Sequence, residues 1–390
     1  MGKSTPLRNR MAHCWILEES TTHNEWRTMN PDRHPPPRLQ ALAILLLFGH
    51  ACTDDTGFNN PQGSDLQCSI PRSELLNGGP GKDGIPALTN PRFVSPGDSE
   101  IGYLRETDRV AGIMVEGEPL ALPLNIFWWH EIVNLDIGGT SVSITHCPLT
   151  GSTLGFDRSA AGGAEFGVSG LLYQNNLVMY DRNADESLWP QMLRGARCGS
   201  ADGTSLQMVP VIEMTWRGWL TLHPDTRVIG SGTGFGRDYT AYPYGNYDRP
   251  NNPSLLFPGT IDDRRPPKER VLGIPSGAGG ITYPYGVLDE LGAVAAVRGA
   301  IGNHAHVVFW DRDREAAMAY SPRLGGEELT FTVVEGRILD EQTGSIWSVD
   351  GLALEGPKAG MRLEPVAEAF IAFWFAWPSF YSAVEIWSAP

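Results

Sequence analysis

Long hydrophobic runs are missing from this chain of 390 residues. The main apolar stretch near its start, Ala41 to Phe48, is eight residues long, whereas a helix that crosses a bilayer needs roughly 20. Positive charge is also scarce. Lys and Arg total 30 against 45 Asp and Glu, a formal net charge of −15, and no run of basic residues stands out. That balance excludes a nucleic-acid surface, because phosphate binding needs clustered cations. Only five cysteines are present, while 45 Gly and 30 Pro supply many turns, which suit short strands better than long helices.

What the short apolar run does fit is the core of a signal peptide, with Arg33 and Arg38 as the positive charge before it. Small residues then lead into Cys52, as in the box read by the lipoprotein signal peptidase, although Gly49 stands where Leu is usual and His50 is atypical. An ordinary signal peptide cut near Ala51 is the simpler alternative. Translation from Met29 gives a leader of normal proportions over residues 29–51, so residues 1–28, with Cys14, read as an upstream extension or a misplaced start. The expectation is an exported protein of the cell envelope, lipidated at Cys52 and anchored to a membrane through that lipid. Cys68, Cys147 and Cys198 then remain, enough for one disulfide with one thiol left over.

Residues 52–90, rich in Gly, Asp, Asn, Pro and Ser, read as a flexible tether. Beyond them the chain repeats itself. Arg109-Val110-Ala111-Gly112-Ile113 recurs 161 positions later as Arg270-Val271-Leu272-Gly273-Ile274, and Leu122-Pro123-Leu124 recurs at the same spacing as Tyr283-Pro284-Tyr285. Further on, Ser187-x-Trp189 matches Ser345-x-Trp347, and Trp216 matches Trp374. The order is kept throughout. The sequence therefore predicts a mainly β, α+β fold with a few short helices, made of two tandem copies of one unit packed as a pseudo-dimer. The copies span 91–230 and 269–390, joined by a loop over 231–268 whose length suggests that it covers a site. Strands are expected at Val142–Thr145, Leu177–Tyr180 and Val307–Phe309, and helices at Leu124–Asn134, Trp216–Leu222 and Phe370–Trp377.

Polar residues concentrate in the first copy, in Trp129-His130-Glu131-Ile132-Val133-Asn134 and Thr145-His146-Cys147-Pro148-Leu149-Thr150-Gly151-Ser152. His and Cys are ligands that zinc and copper favour. On one helix, His130 and Asn134 share a face at i, i+4 with Glu131 beside them. His130, His146, Cys147 and Asn134 are thus the candidate metal ligands, and Cys147, His130 and Glu131 the candidate catalytic groups. His130 is expected to approach Cys147 in a partly open pocket, where an imidazolium would lower the thiol pKa. A bland reading competes with this one: a buried, hydrogen-bonded histidine and a cysteine that is a small hydrophobe or half of a Cys147–Cys198 disulfide.

These motifs, with Lys82-Asp83-Gly84-Ile85-Pro86-Ala87-Leu88 before them and Gly167-Val168-Ser169-Gly170-Leu171-Leu172-Tyr173 after, resemble the bacterial family known as domain of unknown function 3179. The resemblance covers roughly residues 80–390 and implies a class without an activity. Many relatives carry a second cysteine three positions after the first, where this chain has Thr150, so a local dithiol switch is not expected here.

Three sharper motifs fail. A zinc-peptidase helix needs His at position 134, which is Asn; a Rieske box needs His at 150; and Gly230-Ser231-Gly232-Thr233-Gly234 lacks the Lys-Ser/Thr pair of a phosphate loop. The repeat supplies a control in their place. His130, Glu131 and Asn134 fall on Leu291, Gly292 and Ala295 in the second copy, and His146 and Cys147 fall on Trp310 and Asp311, while the Pro, Gly and Trp positions are shared. Positions polar in one copy and bland in the other are those the fold can spare. His304 and His306 occur only in the second copy and are candidates for the interface. Three function classes follow: an extracytoplasmic protein with a metal- or thiol-dependent site, using copper or zinc in the metal case; a non-catalytic module that binds a small molecule, glycan or envelope protein; and a purely structural envelope lipoprotein.

Overall fold

Apolar stretches of four to eight residues, cut by Gly and Pro, give a chain of short strands. The computed structural model describes residues 66–389. Leu75–Asn77 (β1), Leu88–Thr89 (β2) and Phe93–Val94 (β3) each lie at the end of a sheet. The hairpin Arg109–Val115 (β4) and Glu118–Pro123 (β5) leads through Pro123 into the helix Leu124–His130 (α1). Proline suits that place, since the first helical N–H groups have no partner anyway. The meander Ile132–Ile137 (β6), Thr140–Cys147 (β7) and Ser152–Asp157 (β8) follows, then Phe166–Tyr173 (β9), Asn176–Asp181 (β10) and Leu188–Pro190 (β11). Met208–Val209 (β12), Ile212–Thr215 (β13), the helix Trp216–Leu222 (α2) and Arg227–Ile229 (β14) complete the first half.

The second half begins with Arg270–Ser276 (β15), Gly279–Pro284 (β16) and the helix Tyr285–Glu290 (α3). Val294–Ile301 (β17), His304–Asp311 (β18) and Ala316–Tyr320 (β19) form its meander. Arg323–Leu324 (β20) and Glu327–Glu328 (β21) make a small hairpin. Phe331–Val334 (β22), Arg337–Asp340 (β23), Ile346–Trp347 (β24) and Ala353–Glu355 (β25) form one sheet. Phe370–Phe373 (β26), the helix Ala376–Phe380 (α4) and Ala383–Ile386 (β27) finish it.

In the first half, β4 pairs antiparallel with β5 and β13, and β5 pairs parallel with β14. In the second, β15 pairs antiparallel with β16 and β26, and β16 pairs parallel with β27. The halves also share a sheet. The β6–β7–β8 meander continues through β26 into β15, β16 and β27, with Ile371 opposite Thr153. Phe373 N–H donates to Thr150 C=O at 2.7 Å, and Thr215 N–H donates to Arg314 C=O at 2.9 Å. One apolar cluster accordingly draws on both halves, with Cys147, Leu154 and Trp189 beside Phe373, Trp374 and Trp377.

Three sequence expectations are corrected. The tether read over 52–90 gives way to fold by residue 66: Cys68 is bonded to Cys198, and Leu75–Asn77 pair with Leu171–Tyr173. The helix expected over Leu124–Asn134 stops at His130, because Glu131 takes a φ of 55° and turns the chain into β6. The helix expected over Phe370–Trp377 is a strand to Phe373 followed by α4, an all-apolar run having no periodicity to separate the two. Cys14, the leader over 29–51 and Cys52 lie outside the described residues.

Candidate active site

Cys147 ends β7 and enters a tight turn to Ser152, its register partner on β8. Gly151 takes a φ of +57°, and a Cβ there would lie 2.6 Å from the Phe373 ring, so only glycine fits. Beneath the turn lies a buried polar network. The Asn176 amide donates to Thr150 Oγ1 at 2.9 Å and Gln191 Oε1 at 2.7 Å. Ser152 Oγ also donates to Gln191 Oε1, at 2.6 Å, and the Gln191 amide donates to Thr145 Oγ1 at 2.8 Å. Such a network holds a backbone in one arrangement, because each group depends on the others.

Of the three cysteines within the described residues, Cys68 and Cys198 form the disulfide and Cys147 is free and fully buried. The Cys147 sulfur lies 3.8 Å from the Asn175 carbonyl oxygen. Burial, and then the charge of Glu131, push its thiol up to about 11, so it is protonated at neutral pH.

Glu131 sits at the other side of this turn. Its N–H donates to Phe127 C=O, and its own C=O accepts from His146 N–H, each at 2.8 Å. With φ 55° and ψ −30° it lies outside the regions that residues with a Cβ favour. The residue is 6% exposed, and its carboxyl has no hydrogen-bond or ion-pair partner among the described residues. Burial pushes it up to about 8, which leaves a neutral carboxylic acid at pH 7. The position 161 residues on is Gly292, with φ +138°.

The other expected site residues are committed elsewhere. His130 Nδ1 meets Pro86 C=O and Nε2 meets Tyr239 Oη, both at 2.7 Å, so both ring nitrogens are used. Burial pushes it down to about 4, and no imidazolium faces Cys147 at neutral pH. Asn134 is on β6 rather than on α1, so it shares no helix face with His130. Its amide donates to Phe166 C=O at 2.9 Å and its oxygen accepts from Ser143 Oγ at 2.6 Å, which ties β6 to β9. His146 neighbours Cys147 in sequence, but successive strand residues face opposite sides. Its Nδ1 meets Thr153 Oγ1 at 3.0 Å, and Thr153 donates to Glu213 Oε2 at 2.6 Å. Among the described residues, no group of three or more His, Cys, Asp or Glu comes together as a metal would require. The zinc or copper set of His130, His146, Cys147 and Asn134 is not assembled. His306 lies 2.5 Å from Tyr283 Oη, and His304 is exposed.

The loop whose length suggested a cover carries side chains that sequence reasoning did not single out. Residues 231–268 form no strand or helix, yet carry Tyr239, Tyr242, Tyr244 and Tyr247. Tyr242 packs edge-on against Trp128, with ring centres 5.0 Å apart, and its ring lies 5.6 Å from that of Tyr244. Tyr247 Oη donates to Leu149 C=O at 2.9 Å, which fastens the segment to the Cys147 turn. Burial raises the pKa of Tyr242, Tyr244 and Tyr247, and Cys147 acts on all three. The signal available was the length of the loop and its four tyrosines. Asn176 and Gln191 carried none, since strand and turn positions of that kind are usually solvated.

The His–Cys metal set that was expected is therefore not assembled; Cys147 is free and buried, and Glu131 lies one register position away through the His146 N–H bond, with Tyr247 fastened to the same turn. Neither the curated proteins nor the solved structures hold a match to this chain. The family model described as protein of unknown function, domain of unknown function 3179, matches residues 82–383, and the chain belongs to that family.

Proposed function

We propose that the first half carries a thiol–carboxyl site in which Cys147 is the nucleophile and Glu131 its proton acceptor and donor. One observation carries this: a glutamate that is 6% exposed, with no hydrogen bond to its carboxyl among the described residues, occupies a strained backbone position and accepts the N–H of the residue before a free cysteine. Backbone conformations of that kind cost of order 1–3 kcal/mol, and their persistence points to use. A carboxyl near 8 is matched to proton transfer at neutral pH, unlike an ordinary one near 4.5. The test is alkylation of Cys147 by iodoacetamide in the native full chain. Replacing Glu131 by Gln removes the proton acceptor and should slow it at about pH 7.5, even though losing the Glu131 charge lets the thiol pKa fall; a faster reaction would mean that Glu131 only repels the thiolate. A Cys147 that reacts only after unfolding ends the thiol reading and favours a non-catalytic binding module.

Export is supported by the Cys68–Cys198 disulfide, a bond that persists in oxidising compartments, and anchoring follows from the small residues before Cys52. Changing Cys52 to Ser should abolish lipid attachment. A mature N-terminus beyond residue 52 in mass spectrometry would refute the anchor. Tandem duplication into a pseudo-dimer is supported by the matching pairings of β4 and β15, and by the cross-half bonds at Thr215 and Phe373. It is supported again by Trp219 filling the space over Gly112 as Trp377 does over Gly273.

A further inference from the structure

Residues 240–261 run past the Cys147 turn without forming a strand or helix, and little holds them there. Among the described residues, three hydrogen bonds tie this stretch to the chain outside 231–268. One is the bond from Tyr247 Oη to Leu149 C=O. The other two fall on a single side chain. The Asn175 amide donates to Pro258 C=O at 3.0 Å, and its side-chain oxygen accepts from Phe257 N–H at 3.2 Å. The main chain of that same residue meets the thiol, since its carbonyl oxygen lies 3.8 Å from the Cys147 sulfur. One buried asparagine thus joins the covering stretch to the sulfur beneath it. Both roots of the stretch are fixed separately, Tyr239 by His130 and the Asp262 carbonyl by the Trp374 indole. Its middle is free to lift while the roots stay.

Asn175 is held in place by a turn that itself costs energy. Tyr173 and Asn176 are register partners on β9 and β10, which leaves a two-residue loop with φ of 51° at Gln174 and 63° at Asn175. Asparagine accepts the left-handed region, whereas glutamine enters it at a cost. The next residue, Asn176, carries the polar network under the Cys147 turn. Apolar contact adds to the hold, through Tyr244, Leu255 and Phe257 against the cluster that contains Cys147, but each of these is only partly buried. Leu256 and Ile261 are exposed. A segment with so few buried contacts opens at a lower free energy than the core around it. We infer that residues 240–261 are a gate over Cys147 with Asn175 as its clasp, and that this local opening, not unfolding, delivers the thiol to a substrate. Breaking the Phe257 and Pro258 bonds frees the stretch and, in the same event, the turn whose carbonyl meets the sulfur. The inference rests on the thiol–carboxyl reading for the reaction that the gate serves.

Iodoacetamide labelling of Cys147 and hydrogen exchange, both read by mass spectrometry on the native full chain, test it. Asn175→Gly removes both side-chain bonds and keeps the main-chain carbonyl, with a residue suited to positive φ. It should speed labelling about tenfold or more. Exchange in peptides over 247–261 should rise with it, while exchange in β26 stays as in wild type. Labelling unchanged from wild type overturns the gate. Faster labelling without faster exchange over 247–261 overturns it too, as does a rise shared equally by β26, since the opening is then global. If Asn175→Gly does not fold, Tyr247→Phe, which removes one hydroxyl, repeats the comparison with the same outcomes. The thiol–carboxyl reading is judged apart, by adding Glu131→Gln to Asn175→Gly. A thiol that labels fast in the opened chain and is not slowed by that change ends the reading and leaves the gate standing.

Discussion

Glu131 places an acid where the chain bends with positive φ and where water is nearly absent. Its carboxyl is raised from 4.5 to about 8, and the sign of the linkage follows from that direction. Below about pH 4.5 the group is protonated in both folded and unfolded chains and costs nothing. Between about 4.5 and 8 the unfolded chain ionises and the native one does not, so stability falls as pH rises. The nearby Cys147 thiol and Tyr244 phenol stay protonated across that window. Replacing Glu131 by Gln should remove this slope, leaving the variant more stable than wild type at pH 8 by a few kcal/mol but not at pH 4. Urea unfolding at a series of pH values measures it, and parallel curves would mean that Glu131 ionises freely. At this scale the contrast between residues 109–230 and 270–390 of the sequence singled out Cys147 and Glu131 as candidates. It also named His130 and Asn134, which the same contrast cannot separate from residues that merely hold Pro86 and Phe166.

Elements are clipped together by the tryptophans that the repeat pointed to. Trp189 Nε1 donates to Asp181 Oδ2 at 2.7 Å, and Trp347 Nε1 donates to Asp340 Oδ2 at 3.0 Å, each fixing a short strand to the end of the one before it. Both indoles are buried. Cutting either to Ala removes a large buried ring and one of the hydrogen bonds to an aspartate that keeps its others, so each should cost about 3–5 kcal/mol in chemical denaturation. A loss under about 1 kcal/mol would mean that the clip is ornamental. Strands β7, β10 and β18 and helix α2 were legible because alternation or a bounded apolar segment marks them. The end of α1 was not, since nothing in the composition of Trp-His-Glu-Ile announces a positive φ. The split between β26 and α4 was hidden by a run that is apolar at every position.

For the whole molecule, the Cys68–Cys198 bond joins residues 130 positions apart and pins the entry of the chain to the far end of the first half. Changing Cys68 to Ser should lower stability by about 2–5 kcal/mol through the freer unfolded chain. A urea midpoint that does not move when the disulfide is reduced would contradict this. Composition could not reveal that the fold begins before residue 90. The shared sheet has a further consequence, for the order of events during synthesis. The Thr153 end of β8 is closed only by Ile371 of β26, more than half the chain length away. A nascent chain that has completed its first half still carries an open strand edge there. Pairing at such a distance is slow to find, and an unpaired edge invites contact with other chains. The Cys147 turn is therefore among the last parts of this protein to be finished, and a chain interrupted before Phe370 cannot build its site at all.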